Sequence, residues 1–244
     1  MFKRIHSFAG LALMSGLMLF AIVRQGYAQE VTPSSIFLNV GYSTYQLNQL
    51  KAYNAFVLNS LPVEGRLVTD FPGYVMYSGG FYFSSEPGFF GLYLGHSSTG
   101  SRVSYNDYSG RFRFDQLIRT NTVGGEVGLP IVKEKGLVLN GSLRYLFNIN
   151  TIEFDFEYQI PGEYDFQAVN FDSFTHGIQP TISLTTGYRY WLAKIECGYE
   201  IQTPAKLLLN QNHDVFLLDE NEKEVKYNGA GVRLQFGIGF SFLE

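Results

Sequence analysis

From residue 29 onward, segments of about ten residues alternate large apolar side chains with polar or small ones, the period of a strand whose two faces meet different surroundings. At the carboxyl end, Val232, Leu234, Phe236, Ile238, Phe240 and Phe242 share one face, and Arg233, Gln235, Gly237, Gly239 and Ser241 share the other. Near residue 36 the pattern recurs: Ile36, Leu38, Val40 and Tyr42 oppose Asn39, Gly41 and Ser43. Six further strands are marked by Val75, Tyr77, Phe81 and Phe83; by Phe90, Leu92 and Leu94; by Val123, Val127 and Leu129; by Leu137, Leu139, Leu143, Tyr145 and Phe147; by Ile178, Ile182, Leu184, Tyr188 and Tyr190; and by Ile195, Cys197, Tyr199 and Ile201. The count is eight.

The connections alternate in length. Short turns fall at 84–88, 132–136 and 191–193, and long polar connections at 46–72, 99–121, 149–176 and 204–230. Short turns at one end and long loops at the other characterise outer-membrane barrels, and an even strand number puts both mature ends on the periplasmic side. The charged partners Glu126, Arg144, Arg189, Lys194, Glu196, Glu200 and Arg233 sit on the face that carries the glycines. An eight-stranded barrel is just wide enough inside for side chains. The small, polar face is therefore the inside, shared with Tyr82 and Tyr93, and the apolar face meets lipid. The pattern predicts an all-β fold: an eight-stranded antiparallel up-and-down transmembrane β-barrel.

Uncompensated charges in such an interior would each cost several kcal/mol. Pairing is expected: Arg189 with Glu196 across the tight turn, and Glu200 with Arg233 across the last two strands. The alternative is that the same charges line a narrow ion pathway. In the first long connection, Leu47, Leu50, Tyr53, Val57 and Leu61 recur at helical spacing, which predicts a short helix in that external loop, packed on the rim or capping the mouth. Alternation continues at 111–115 and 153–158, so neighbouring strands are expected to project as a sheet above the bilayer, with edges open to a foreign strand.

Composition changes the picture in three ways. Charged residues make up 16% of the 244, against a globular norm of about 25%, and aromatics reach 16%, which suits a surface that partly faces something other than water. A net charge of −4 without a long basic run argues against nucleic acid as a partner. The single Cys197 excludes a disulfide framework and every multi-cysteine metal motif. At the amino terminus, Lys3 and Arg4, an apolar run over 8–23 and Gly26-Tyr27-Ala28 read as a signal peptide over 1–28, followed by a barrel domain over 29–244. The apolar run is shorter than the ~20 residues of a spanning helix.

These segments, the alternating connections and the final strand 231–242 (GVRLQFGIGFSF) resemble the small outer-membrane β-barrel superfamily, especially the barrels of Bacteroidota. That resemblance implies a place in the cell outer membrane, with outer-membrane lipid, lipopolysaccharide and the barrel assembly machinery as partners. His96 and Ser98 look weakly like the H-x-S pair of the lipid A deacylase barrel, whose acidic third member is expected a dozen or so residues on, where only Asp107 and Asp115 stand. The pair is read as fortuitous.

Asp219, Glu220, Glu222 and Glu224 suggest calcium by their carboxylates but fit no EF-hand spacing, so a solvated loop is expected. His176 and His213 are read as ordinary loop residues, and Asn140 of the Asn140-Gly141-Ser142 match is expected to face the interior. No cofactor is implied. The expectation is a non-enzymatic barrel serving envelope integrity or surface interaction through external loops that engage a surface protein. A narrow diffusion channel, a lipid A-modifying enzyme and a secreted soluble barrel of lipocalin type are the alternatives.

Overall fold

The computed structural model describes residues 34–242 except 109, 135 and 220. The predicted signal peptide lies outside the described residues. The elements are β1 (Ser35–Ser43), α1 (Asn48–Ser60), β2 (Arg66–Asp70), β3 (Tyr74–Ser85), β4 (Gly88–Asp107), β5 (Gly110–Glu134), β6 (Leu137–Ile160), β7 (Glu163–Tyr188), β8 (Trp191–Gln202), β9 (Ala205–Lys206), β10 (Leu208–Leu209), β11 (Asn212–Phe216), β12 (Lys226–Tyr227) and β13 (Gly231–Ser241). Eight of them close a ring in the order β1-β3-β4-β5-β6-β7-β8-β13, every neighbour antiparallel. The last strand returns to the first in the register Leu38↔Ile238, which seals the sheet and leaves no edge at the level of the ring.

The chain is an eight-stranded transmembrane barrel, and the reason lies in which side chains it leaves outside. Leu38 is 72% exposed and Leu92 64%, and every large residue of β13 on their face points outward with them, while Arg144 on the other face is fully buried. From Val232 to Phe242 the strand rises about 34 Å. At a tilt of about 40° that is about 26 Å of height, close to the apolar band of such barrels. Aromatic residues crowd both rims of this belt: Trp191, Phe240, Phe242 and Phe83 at the end with the short turns, and Tyr42, Tyr74, Tyr145 and Tyr199 at the other.

Strands β1, β3, β8 and β13 have 9 to 12 residues, enough to cross a bilayer when tilted. Strands β4 to β7 have 20 to 26, so half of each stands beyond the membrane. Segments 99–121 and 149–176, read from sequence as long connections with strand expected only at 111–115 and 153–158, are hairpin strand up to their tips, and His176 lies in β7 rather than in a loop. The turn expected at 191–193 sits at Arg189 and Tyr190, because β7 runs to Tyr188 and pairs it with Trp191.

Along each long strand the inward parity holds from the membrane into the external half, shifting only at the β5 bulge between Pro130 and Val132, but its chemistry changes. In β5, Phe114 and Ile118 point inward above the membrane, while Thr120, Thr122 and Glu126 point inward within it. Outward, Arg113, Asp115 and Arg119 give way to Val123, Val127 and Leu129. The hydrophobic effect acts only where water is the alternative. The apolar core accordingly lies inside the external half, and the polar core lies inside the lipid-embedded half.

The external core gathers Val103, Phe114, Ile118, Ile152, Phe154 and Phe171 from the sheet with Leu47, Leu50 and Val57 from the α1 segment, so the helix caps the barrel mouth. Buried Asn54 pins it by hydrogen bonds with Asp70 (3.2 Å) and Ser101 (3.3 Å). Leu47 (φ 42°) and Phe71 (φ 47°) flank this insert in the left-handed region, costly for side chains with a Cβ, yet both are buried in or against the core. Their apolar burial holds the unfavourable backbone in place.

Candidate functional site

Two places concentrate chemistry: the polar lumen and the projecting sheet. In the lumen, pairing of β5 with β6 sets Glu126 beside Arg144, whose Nε donates to Glu126 Oε2 at 2.7 Å. The rest of the guanidinium crosses the lumen to β8, where Nη1 and Nη2 donate to the two oxygens of Glu196 at 2.5 and 2.6 Å, a bidentate fork. Lys194 Nζ lies 3.0 Å from Glu196 and donates to the Tyr82 hydroxyl at 3.3 Å; that hydroxyl donates to Glu126 at 3.0 Å. The Arg144 guanidinium stacks 4.5 Å from the centre of the Tyr93 ring. Gly80 and Gly91 make room for Tyr82, since a Cβ on either would come within 2.6 Å of its ring.

A second cluster lies nearer the external end. Glu200 pairs with Arg233 at 2.9 Å and accepts from Asn148 (2.9 Å) and Gln202 (2.6 Å). Six of the seven charges expected inside are buried here as three cations facing three carboxylates. Arg189 is the correction. It occupies the β7–β8 turn, exposed, with its guanidinium over the Tyr188 ring, and Glu196 is paired instead with Arg144 and Lys194. Ser183 is the residue opposite Glu196 in the ladder, so the expected Arg189–Glu196 pair has no register to form in. Between this interior and the apolar dome remains a cavity of about 10 Å3, room for one water.

The projecting sheet carries its charges outward. Asp115 accepts from Arg102 (2.6 Å) and from Arg113. Burial alone would push the Asp115 carboxyl up, but the hydrogen bonds from Arg102 and Arg113 outweigh it and hold the group below the usual carboxylate range. Asp155, directly opposite Asp115, goes the other way: desolvation first, then the charges of Glu153 and Asp115, raise it. Arg119 reaches Glu153 at 2.5 Å, and Glu157 is approached by Arg111 and Arg113 at 3.7 and 3.6 Å.

The sheet also has a free edge, which sequence reasoning anticipated only in general. Strand β10 pairs with β7 at Asp172 and Phe171 and goes no further. Asn170 accepts from the Asn210 N–H, and His176 from the Thr203 N–H, so the even-numbered residues of β7 turn their amide groups away from β6. Above that point Tyr164, Phe166 and Ala168 present N–H and C=O groups with no strand beside them among the described residues. Tyr164 and Phe166 are 62% and 52% exposed.

The remaining candidates separate. His96 faces outward and shares a 2.8 Å hydrogen bond with Asn121, while Asp115 is occupied by two arginines and Asp107 accepts from the Gly110 N–H at its hairpin tip. His176 bonds the Tyr145 hydroxyl at 2.8 Å, and His213 lies in β11. Asp219 accepts the N–H groups of Asn221 and Lys223, and Glu224 pairs with Lys206; Glu220 lies outside the described residues. Among the described residues no cluster of His, Cys, Asp or Glu could hold a metal ion.

No protein-family model and no curated protein matches the chain. Among solved structures it is similar to the outer membrane protease OmpT of Escherichia coli, at 11% identity and TM-score 0.42 over 88% of this chain and 99% of that one. It is also similar to Neisserial surface protein A (9%, 0.33, 88% and 100%) and to Ail, the attachment invasion locus protein of Yersinia pestis (12%, 0.31, 86% and 100%). Such low identities and scores assign no activity to this chain.

Proposed function

We propose that the chain is a non-enzymatic integral protein of a bacterial outer membrane that holds a β-sheet away from the cell and captures partner strands on the free edge of β7. The belt facing lipid and lipopolysaccharide supports the location. The unpaired run through Tyr164, Phe166 and Ala168 carries the functional reading, because an uncovered edge without Lys, Pro or a bulge is a template for strand addition. The lumen, filled by ion pairs and capped by α1, supports adhesion over conduction.

The edge also says what it would accept. Glu163 and Asp165 lie on it, and Asp155, with no ion pair among the described residues, stands on the next strand, so a strand alternating basic with apolar residues fits best. The test is amide exchange of the protein in lipid nanodiscs with a peptide alternating lysine and valine. Tyr164, Phe166 and Ala168 should become protected. Ala168→Pro removes one edge donor without touching the β6 ladder and should abolish protection while the barrel stays folded. Protection at none of the three amides, or protection unchanged by Ala168→Pro, would overturn the reading.

A further inference from the structure

Below the ion network, at the end bearing the short turns and the described chain ends, the lumen opens into a cavity of about 350 Å3. Its floor is Lys194 and Tyr82, its walls include Phe37, Phe89 and Leu192, and Lys133 and Arg189 stand at its mouth. The volume lies in the ordinary range of small-molecule sites, about 300–1,000 Å3. The network and the capped dome close it above. It is a dead end.

We propose that this cavity binds a small organic monoanion, a carboxylate on an apolar body of aryl-alkanoate size, entering from the periplasmic side. The charges favour an anion. Of the two acids on the lining, Glu126 is already held by Arg144, Tyr82 and Ser142, and Glu86 stands at the rim. Against them stand three cations, of which Lys133 and Arg189 make no ion pair among the described residues.

Lys194 adds a directed donor. Its ammonium has three N–H groups and two polar partners, Glu196 at 3.0 Å and Tyr82 at 3.3 Å, and it sits 4.7 Å from the centre of the Phe37 ring and 4.8 Å from that of Tyr82. One donor is left for a ligand oxygen, between aromatic faces that would flank an apolar body.

Arg189 supplies an independent sign. It holds φ at 56° in a tight turn where Gly or Asn is usual. Non-glycine strain of this kind persists at functional sites more often than elsewhere, and here it places the cation on the cavity rim.

The test uses the barrel in nanodiscs, fluorine NMR, and fluorophenylacetate with its neutral amide as probes. The carboxylate should broaden and shift beyond its behaviour with empty discs, and the amide should bind markedly less. Neutralising the rim with Lys133→Gln and Arg189→Gln should weaken binding about tenfold, two partly exposed charge contacts acting together. Thr185→Trp, which fills the cavity, should abolish it while heat-shifted gel mobility shows the barrel folded. Binding no greater than with empty discs, equal binding of the amide, or binding that survives Thr185→Trp would overturn the proposal.

Discussion

Glu196 and Arg189 lie seven positions apart in the chain and differ completely in consequence. Glu196→Ala leaves Arg144, fully buried, with Glu126 as its one carboxylate, and a broken buried pair costs about 3–5 kcal/mol. The variant should lose its heat-resistant gel mobility at a lower temperature than the parent. Arg189→Ala removes an exposed turn side chain, and its melting should stay within the ±0.5 kcal/mol typical of surface changes.

Asp155 offers a pH signature. Its raised carboxyl means that the fold disfavours the charged form, so the penalty is full above the folded value and vanishes as pH falls below the unfolded one, about 3.9. Asp155→Asn should therefore stabilise the external sheet at neutral pH, with the gain fading in acid, as thermal melts across pH would show. Asp115 has the opposite sign: its lowered value supplies stability above the ordinary carboxylate pKa that is lost as pH falls through the folded value.

Among the elements, α1 shows how local pattern and tertiary setting divide the work. Its spacing of Leu47, Leu50, Tyr53 and Val57 is legible in sequence, since three- and four-residue steps line one face of a helix. That the face covers the barrel mouth follows only from the apolar dome that the long strands raise beneath it. Leu50→Ala in this fully buried position should cost about 2–5 kcal/mol and, as limited proteolysis would show, expose the 48–70 segment to cleavage while the membrane-embedded ring remains intact. The long strands themselves were half legible: alternation at 111–115 and 153–158 predicts strand, but polar outward residues there resemble loop composition, because above the lipid the outside of a strand is wetted.

For the whole molecule, the filled lumen and capped mouth predict no conductance above background when the purified barrel is reconstituted in planar bilayers; stepwise openings would contradict the packed interior. The apolar exterior and polar interior cannot be exchanged without unfolding, because a one-residue slip of any strand would turn its charges to hydrocarbon. Register is thus enforced by lipid on one side and ion pairs on the other.

The sequence by itself determined the number of strands in the ring, their inward parity within the membrane and all six buried charges, adding only Arg189 in error, because a two-residue period is a local property that reports the two environments directly. Beyond the Glu200–Arg233 pair, which the adjacency of the last two strands predicts, only the tertiary structure decided who meets whom. Arg144 finds Glu196, 52 positions away, across the lumen, the free edge of β7 appears where β10 stops, and the cavity below the ion network forms beside three separate turns. Those outcomes depend on ring closure and strand stagger, which set the height of each residue in the barrel, and parity along a single strand carries no information about height.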